Sequence, residues 1–206
     1  MKVLLVNGSP RKDGNTFTAL SEAARVLQEE GFDTDFFHIG NQPVRGCIAC
    51  GTCSQTNSGR CVFNDDAANH LIEAAGSADA FIFGTPTYYG QPNGALLAVI
   101  QRALYAGSRT FAFKPVASVV VARRGGATAA FQTMNMSFQM CNMPIATSQY
   151  WNIIYGALKG EAKLDPEGLQ TMRTLAHNLA WMTRNLSAEP HYDLSSEPHQ
   201  RTNFIR

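Results

Sequence analysis

Residues Met1–Thr16 read MKVLLVNGSPRKDGNT, and this stretch decides the fold. Val3, Leu4, Leu5 and Val6 form a short apolar run, the pattern of a strand buried on both faces. The run ends in a loop of Gly, Ser, Pro and Asn, and the loop opens a helix at Thr16. A strand–loop–helix of this kind is an anion site. The loop amides converge with the free N–H groups of the first helical turn, and the helix dipole favours negative charge. Ser9, Asn15 and Thr16 add side-chain donors, and Arg11 or Lys12 can balance charge. The anion that fits such a loop is a phosphate.

Outward from this loop, strands alternate with helices. A helix over Thr16–Glu30 carries Leu20, Ala23, Ala24 and Leu27 on one face and stops at Gly31. Strands are expected at Asp33–His38, Ala80–Gly84, Val116–Ala122 and Ile145–Thr147. Helices are expected at Asp65–Ala75, Gly94–Ala106, Ala129–Cys141 and Pro166–Leu186. Near-continuous apolar strands alternating with helices predict an α/β fold with a parallel sheet covered on both faces. The reading is one domain over residues 1–187, with a polar, extended tail over 188–206. In such a sheet the ligand lies beyond the carboxyl ends of the strands, so the loops after strands one, three and four carry the site.

Composition narrows the function classes. The 206 residues carry a formal net charge of +1, which gives no electrostatic case for nucleic acid or an anionic membrane. No apolar run approaches the ~20 residues that span a bilayer, and the start lacks a signal-peptide pattern. The expected location is the cytoplasm. Five cysteines there read as reduced, metal-bound or redox-active rather than as structural disulfides.

Two nucleotide fingerprints fail. Gly8 is followed by Ser9-Pro10, so G-x-G-x-x-G is absent, and Gly14 is followed by Asn15-Thr16 without the lysine of a triphosphate loop. What remains, G-S-P-R-x-x-G-N-T, resembles the phosphate loop of the NAD(P)H-dependent FMN reductase branch of the flavodoxin-like superfamily. The resemblance implies a flavodoxin-like three-layer α/β/α sandwich with five parallel strands in order 2-1-3-4-5. It also implies FMN with its phosphate held by Ser9, Arg11, Asn15 and Thr16. The plainer alternative is a glycine turn with a helix cap near Asn15.

After strand three comes Thr85-Pro86-Thr87-Tyr88-Tyr89-Gly90. A flavin ring needs a flat slot, with Pro and Gly fixing the turn and Tyr supplying a wall. The same family has a P-x-Y-x-G-type segment here, which places Pro86, Thr87, Tyr88, Tyr89 and Gly90 against the ring. After strand four, Arg123-Arg124-Gly125-Gly126 lets backbone approach a ligand edge. Arg124, or Arg123, could stabilise reduced flavin or bind a pyridine nucleotide; the alternative is a surface turn with solvated arginines. Many relatives continue with L-K-x-x-x-D-R on the next helix. Here the stretch is Leu97-Ala98-Val99-Ile100-Gln101-Arg102, which keeps only the arginine.

Cys47, Cys50, Cys53 and Cys61 are spaced C-x2-C-x2-C-x7-C. Such thiolates can converge on one metal centre. The spacing resembles the motif of iron–sulfur flavoproteins, a subgroup of the same superfamily, and implies a 4Fe-4S cluster passing electrons to FMN. Zinc, or free thiols lining a substrate pocket, are the alternatives. Cys141, on a Met-rich helix, reads as a core residue. Trp151 and Tyr155 read equally as pocket wall or core.

The reading that follows is an oxidoreductase in which FMN carries the chemistry. NADH or NADPH would stack on the exposed flavin face, and electrons would pass to a small acceptor: a quinone, a nitroaromatic or an azo compound. An iron–sulfur electron carrier and a non-enzymatic flavin-binding regulator are the other readings. By family analogy the chain is expected to form a homodimer or homotetramer.

Overall fold

The fold is that of a computed structural model, described over residues 1–187; the expected tail, 188–206, lies outside the described residues. The parallel strands are β1 (Lys2–Asn7), β2 (Asp33–His38), β3 (Ala80–Tyr88), β5 (Val116–Ala122) and β6 (Ile153–Tyr155). They lie in the order β2-β1-β3-β5-β6. A two-residue strand, β4 (Gln91–Pro92), folds back antiparallel on the end of β3. Without that hairpin arm the order is the expected 2-1-3-4-5. The helices are α1 (Asn15–Glu29), α2 (Thr52–Thr56), α3 (Ala67–Ala75), α4 (Gly94–Phe111), α5 (Ala127–Met140) and α6 (Pro166–Leu186).

The sheet is covered on both sides, and the pleat shows how. On β1, Val3 and Leu5 enter the core beneath α1 and α6, while Leu4 and Val6 enter the core beneath α3, α4 and α5. On β3, Ala80 and Ile82 share the first core and Phe81 and Phe83 the second. Alternate side chains of a strand point to opposite faces, so a strand buried on both must be apolar at every position. That is why VLLV and AFIF lack polar residues. Each fully buried Leu, Ile or Phe contributes about 1.5–3 kcal/mol. On α1, Leu20, Ala23, Ala24 and Leu27 are buried as their spacing predicts.

The fifth parallel strand is displaced from the expected Ile145–Thr147. Ile145 makes one isolated bridge to Val116, and Ala146 N–H donates to Val116 O at 2.8 Å. The chain then loops outward and returns at Ile153, which pairs with Val120. Between the two contacts β5 advances four residues and its neighbour eight, so the edge segment bulges. Within the bulge the Ser148 hydroxyl donates to Asn152 Oδ1 at 2.7 Å. The apolar Ile-Ala pair marked the first contact and gave no sign of the outward loop.

Candidate functional site

The loops after β1, β3, β5 and β6 meet at the carboxyl end of the sheet around a cleft of about 250 Å³. The loop after β1 is held from several sides. Gly8 N–H donates to Gly84 O at 2.8 Å, and Asn93 Nδ2 donates to Gly8 O at 2.7 Å. Asn7 Nδ2 donates to Lys12 O at 3.1 Å, and His38 Nε2 lies 2.8 Å from Ser9 O. Ser9 is buried; its Oγ accepts from Arg11 N–H at 3.1 Å, which leaves its own proton to donate.

Helix α1 begins at this cleft with Gly14 as its N-cap and no side-chain cap. Its first-turn N–H groups therefore have no side chain to bind, which is the state an anion site requires. Thr16 is buried, and among the described residues its hydroxyl makes no hydrogen bond. Arg11 and Arg123 line the cleft, and neither has an ion-pair partner among the described residues. Thr87 lines it too, and among the described residues its buried Oγ1 has no hydrogen-bond partner. An orphaned buried hydroxyl costs ~1–3 kcal/mol, a cost that a polar group bound in the cleft would remove.

Asn15 differs from the sequence expectation. Its side chain points into the loop after β6: Nδ2 donates to Leu158 O at 2.8 Å, and Oδ1 accepts from Gly160 N–H at 3.0 Å and Ala162 N–H at 3.2 Å. Asn15 still lines the cleft, where its backbone N–H belongs to the first turn of α1. The loop it anchors is one that sequence reasoning missed. Gly156 and Ala157 of that loop line the cleft. A Cβ on Gly156 would come within 2.8 Å of both Asn15 Nδ2 and Ala162 N, so only glycine fits. The Glu161 carboxylate accepts from Leu158 and Ala157 N–H, and these bonds hold it below the usual carboxylate range. The glycines at 156 and 160 were the available signal.

Of the other expected residues, Pro86 and Tyr88 line the cleft. Tyr89, Gly90, Arg124, Gly125 and Gly126 do not; they form two loops beyond it. Tyr89 (φ 51°) and Gly90 (φ 75°) make the tight β3–β4 turn, with Tyr89 fully exposed. Positive φ at both central positions is the type I′ signature, and it strains a residue as bulky as tyrosine. Gly126 (φ 86°) packs on this turn, where a Cβ would fall 2.9 Å from Gly90 Cα. Between the two arginines, the geometry puts Arg123 rather than Arg124 on the cleft. Trp151 and Tyr155 are about half exposed and lie outside the cleft lining.

The four cysteines come together elsewhere. Cys47, Cys50, Cys53 and Cys61 all line one small pocket against α4, with Arg102 and Tyr105 as its helix wall. Ala49 (φ 54°) and Gly51 (φ 73°) turn the C-x2-C-x2-C segment back on itself. Ala49 N–H lies 3.4 Å from Cys47 Sγ. The Thr52 hydroxyl and backbone hold the Cys50 thiol below the ordinary cysteine range. Four thiols around one pocket are a donor set suited to a soft metal centre. As the side chains stand, among the described residues no three of His, Cys, Asp or Glu are grouped as metal ligands. Cys141 lies apart, half-buried against the α3–α4–α5 core, and burial pushes its thiol up.

The family model described as NADPH-dependent FMN reductase matches residues 1–157, from β1 to the glycine loop that closes the cleft. The chain belongs to this family. An iron–sulfur flavoprotein of Methanocaldococcus jannaschii is 30% identical over 189 residues, covering 87% of this chain and 96% of the relative. An iron–sulfur flavoprotein of Methanosarcina thermophila is 30% identical over 184 residues, covering 87% and 93%. Among solved structures, RosB with a bound 8-demethyl-8-formylriboflavin-5'-phosphate intermediate superposes with a TM-score of 0.75 at 16% identity. That match covers 100% of this chain and 92% of the other. The architecture is flavodoxin-like, as the strand order shows. For this member of the FMN reductase family, no helix among the described residues is long and apolar enough to cross a membrane.

Proposed function

We propose that the protein is an FMN-dependent oxidoreductase that draws electrons from NADH or NADPH and delivers them to a small acceptor such as a quinone, a nitroaromatic or an azo compound. Family membership supports the FMN-dependent chemistry in general terms. The observation that carries the reading is the cleft itself: an uncapped helix start, the Ser9 and Thr16 hydroxyls and the orphaned Thr87 hydroxyl, with unpaired arginines alongside. A planar, phosphorylated cofactor answers all of these at once. When bound, FMN supplies the hydride acceptor and two-electron donor.

The chain's own work is binding and shaping. The α1 amides, Ser9, Thr16 and Arg11 hold the phosphate, with Asn15 contributing its backbone. Pro86, Thr87 and Tyr88 would shape the slot, and the Thr87 hydroxyl would pair with a polar group of the bound cofactor. Tyr89, Gly90, Gly125 and Gly126 form the rim. Arg123, with Arg124 beside it, places positive charge where negative charge develops on reduction. Residues 1–187 act as one FMN-binding domain. The same reading puts the protein in the cytoplasm as a homodimer or homotetramer, with no nucleic-acid or membrane partner. Mixing the purified chain with FMN should give a retained, protein-bound flavin absorbance and NAD(P)H oxidation dependent on a quinone. Absence of flavin binding at saturating FMN would sink the proposal.

A second reading is favoured by the shared cysteine pocket and by the two relatives. Cys47, Cys50, Cys53 and Cys61 would hold a 4Fe-4S cluster, a one-electron centre that extends the electron path. Iron and sulfide near four per chain after anaerobic reconstitution supports it, and a colourless, iron-free product after the same treatment removes it.

A further inference from the structure

The four cysteines are held unequally. Cys47 and Cys50 are exposed on a loop, and Cys53 sits in the first turn of the short helix α2. Cys61 is fixed twice. Its main chain is clamped by the buried Asn69: Cys61 N–H donates to Asn69 Oδ1 at 2.8 Å, and Asn69 Nδ2 donates back to Cys61 O at 2.8 Å. Its sulfur accepts from Arg102 Nε–H at 3.2 Å. The Arg102 side chain is 1% exposed, and each of its three guanidinium nitrogens donates a hydrogen bond. Nη1 donates to Asp66 Oδ2 and, at 3.2 Å, to Arg45 O; Nη2 donates to Phe63 O at 3.1 Å.

This is an unusual use of a buried cation. Burying an arginine is costly unless it is paired and hydrogen-bonded. Asp66 pairs the charge, but Asp66 alone would not require the other contacts. Those contacts fall on the two ends of the cysteine segment: Arg45 before Cys47, and Phe63 after Cys61. The third nitrogen spends its Nε–H on sulfur, a weak acceptor when it is a neutral thiol and a good one when it is a thiolate.

We infer that Arg102 is a positioning residue for the four-cysteine site: it fixes the Cys61 sulfur as the anchored ligand and pins both ends of the loop that carries the other three. The inference rests on the second reading above. Outer-shell hydrogen bonds of this kind orient metal ligands, and their loss typically costs about 10–100-fold in metal affinity.

The test uses the full chain, reduced and anaerobic, titrated with Co²⁺ alone as a thiolate-reporting probe. Wild type is expected to develop a tetrathiolate ligand-field spectrum, and Cys61→Ser a three-thiolate one. Arg102→Lys keeps a cation for Asp66 but removes the fork. It is expected to bind Co²⁺ about tenfold or more weakly, with a spectrum shifted toward that of Cys61→Ser. Asp66→Asn disturbs the ion pair yet leaves Nε–H on the sulfur, so it should keep the wild-type spectrum. A merely structural role for Arg102 predicts equal losses in both variants, and that result overturns the inference. So does an Arg102→Lys variant that matches wild type in affinity and spectrum. Wild type that binds no Co²⁺ through thiolates removes the inference together with the cluster reading, and leaves the flavin reading standing. Circular dichroism of each variant separates loss of fold from loss of site.

Discussion

At the scale of single residues, the cleft is distinguished by what its side chains leave undone. Among the described residues, the buried Thr87 hydroxyl has no partner, the hydroxyl of Thr16 makes no hydrogen bond, and α1 starts without a side-chain cap. A fold selected only for stability would satisfy these groups. Thr87→Val keeps the shape and removes the orphan. The apo protein should become about 1 kcal/mol more stable, while FMN affinity falls about three- to tenfold, the value of one hydrogen bond. Apo-protein melting and FMN titration read the two effects separately, and parallel changes in both would argue against Thr87 as a cofactor contact. Asn15 teaches the opposite lesson. Its sequence position marks it as a phosphate donor, yet its amide oxygen and one amide N–H are engaged with residues 158–162. Residue type and position announce a donor, but only the surrounding loops decide which acceptor it meets.

At the scale of elements, α4 joins the two halves of the molecule. Its N-terminus, capped by Asn93 onto Ala95 N–H, sits beside the loop after β1; nine residues on, Arg102 faces the cysteine pocket. Arg102 and Asp66 tie α4 to the start of α3, and Asp66 also caps α3 by accepting from Ala68 N–H at 3.0 Å. Burial raises the Asp66 carboxyl, but the Arg102 hydrogen bond, the Ala68 N–H and the arginine's charge outweigh it, so the carboxyl stays below the usual range. A group with a depressed folded pKa stabilises fully above its unfolded value and loses that contribution as pH falls through the folded one. Asp66→Asn keeps the cap, since asparagine caps well, and removes the charge. It should cost ~3 kcal/mol near neutrality by leaving Arg102 uncompensated. The gap from wild type should begin to narrow near pH 4, the unfolded aspartate pKa, and close only as pH falls through the lower folded one. Melting temperatures of both proteins across pH 2–7 measure this, and a pH-independent gap would show that the charge is not the cause. In the sequence Arg102 stood out only as the arginine kept from the L-K-x-x-x-D-R pattern. Which partner it finds, 36 residues away, was not legible there.

At the scale of the whole molecule, the sheet sets the site, because the parallel strands bring every loop of the cleft to one end. A ligand that binds only the folded state stabilises it by mass action, ~2.7 kcal/mol at a hundred times its dissociation constant. For a domain of this size that is roughly a 5–10 °C rise in melting temperature. Thermal melts across an FMN series should show this rise and its logarithmic dependence on concentration; a flat response would mean the cleft does not hold FMN. The sequence by itself determined the alternation of strands and helices, the doubly buried sheet and the glycine-containing strand–loop–helix after β1. These depend on local periodicity and on residues adjacent in the chain, which the order of amino acids contains directly. The tertiary structure alone decided the late strand β6 and the turning of Asn15 toward the Gly156 loop. It also chose Arg123 over Arg124 at the cleft and gave Arg102 its hold on Cys61. Each of these turns on which distant groups meet a given donor, and that follows from packing.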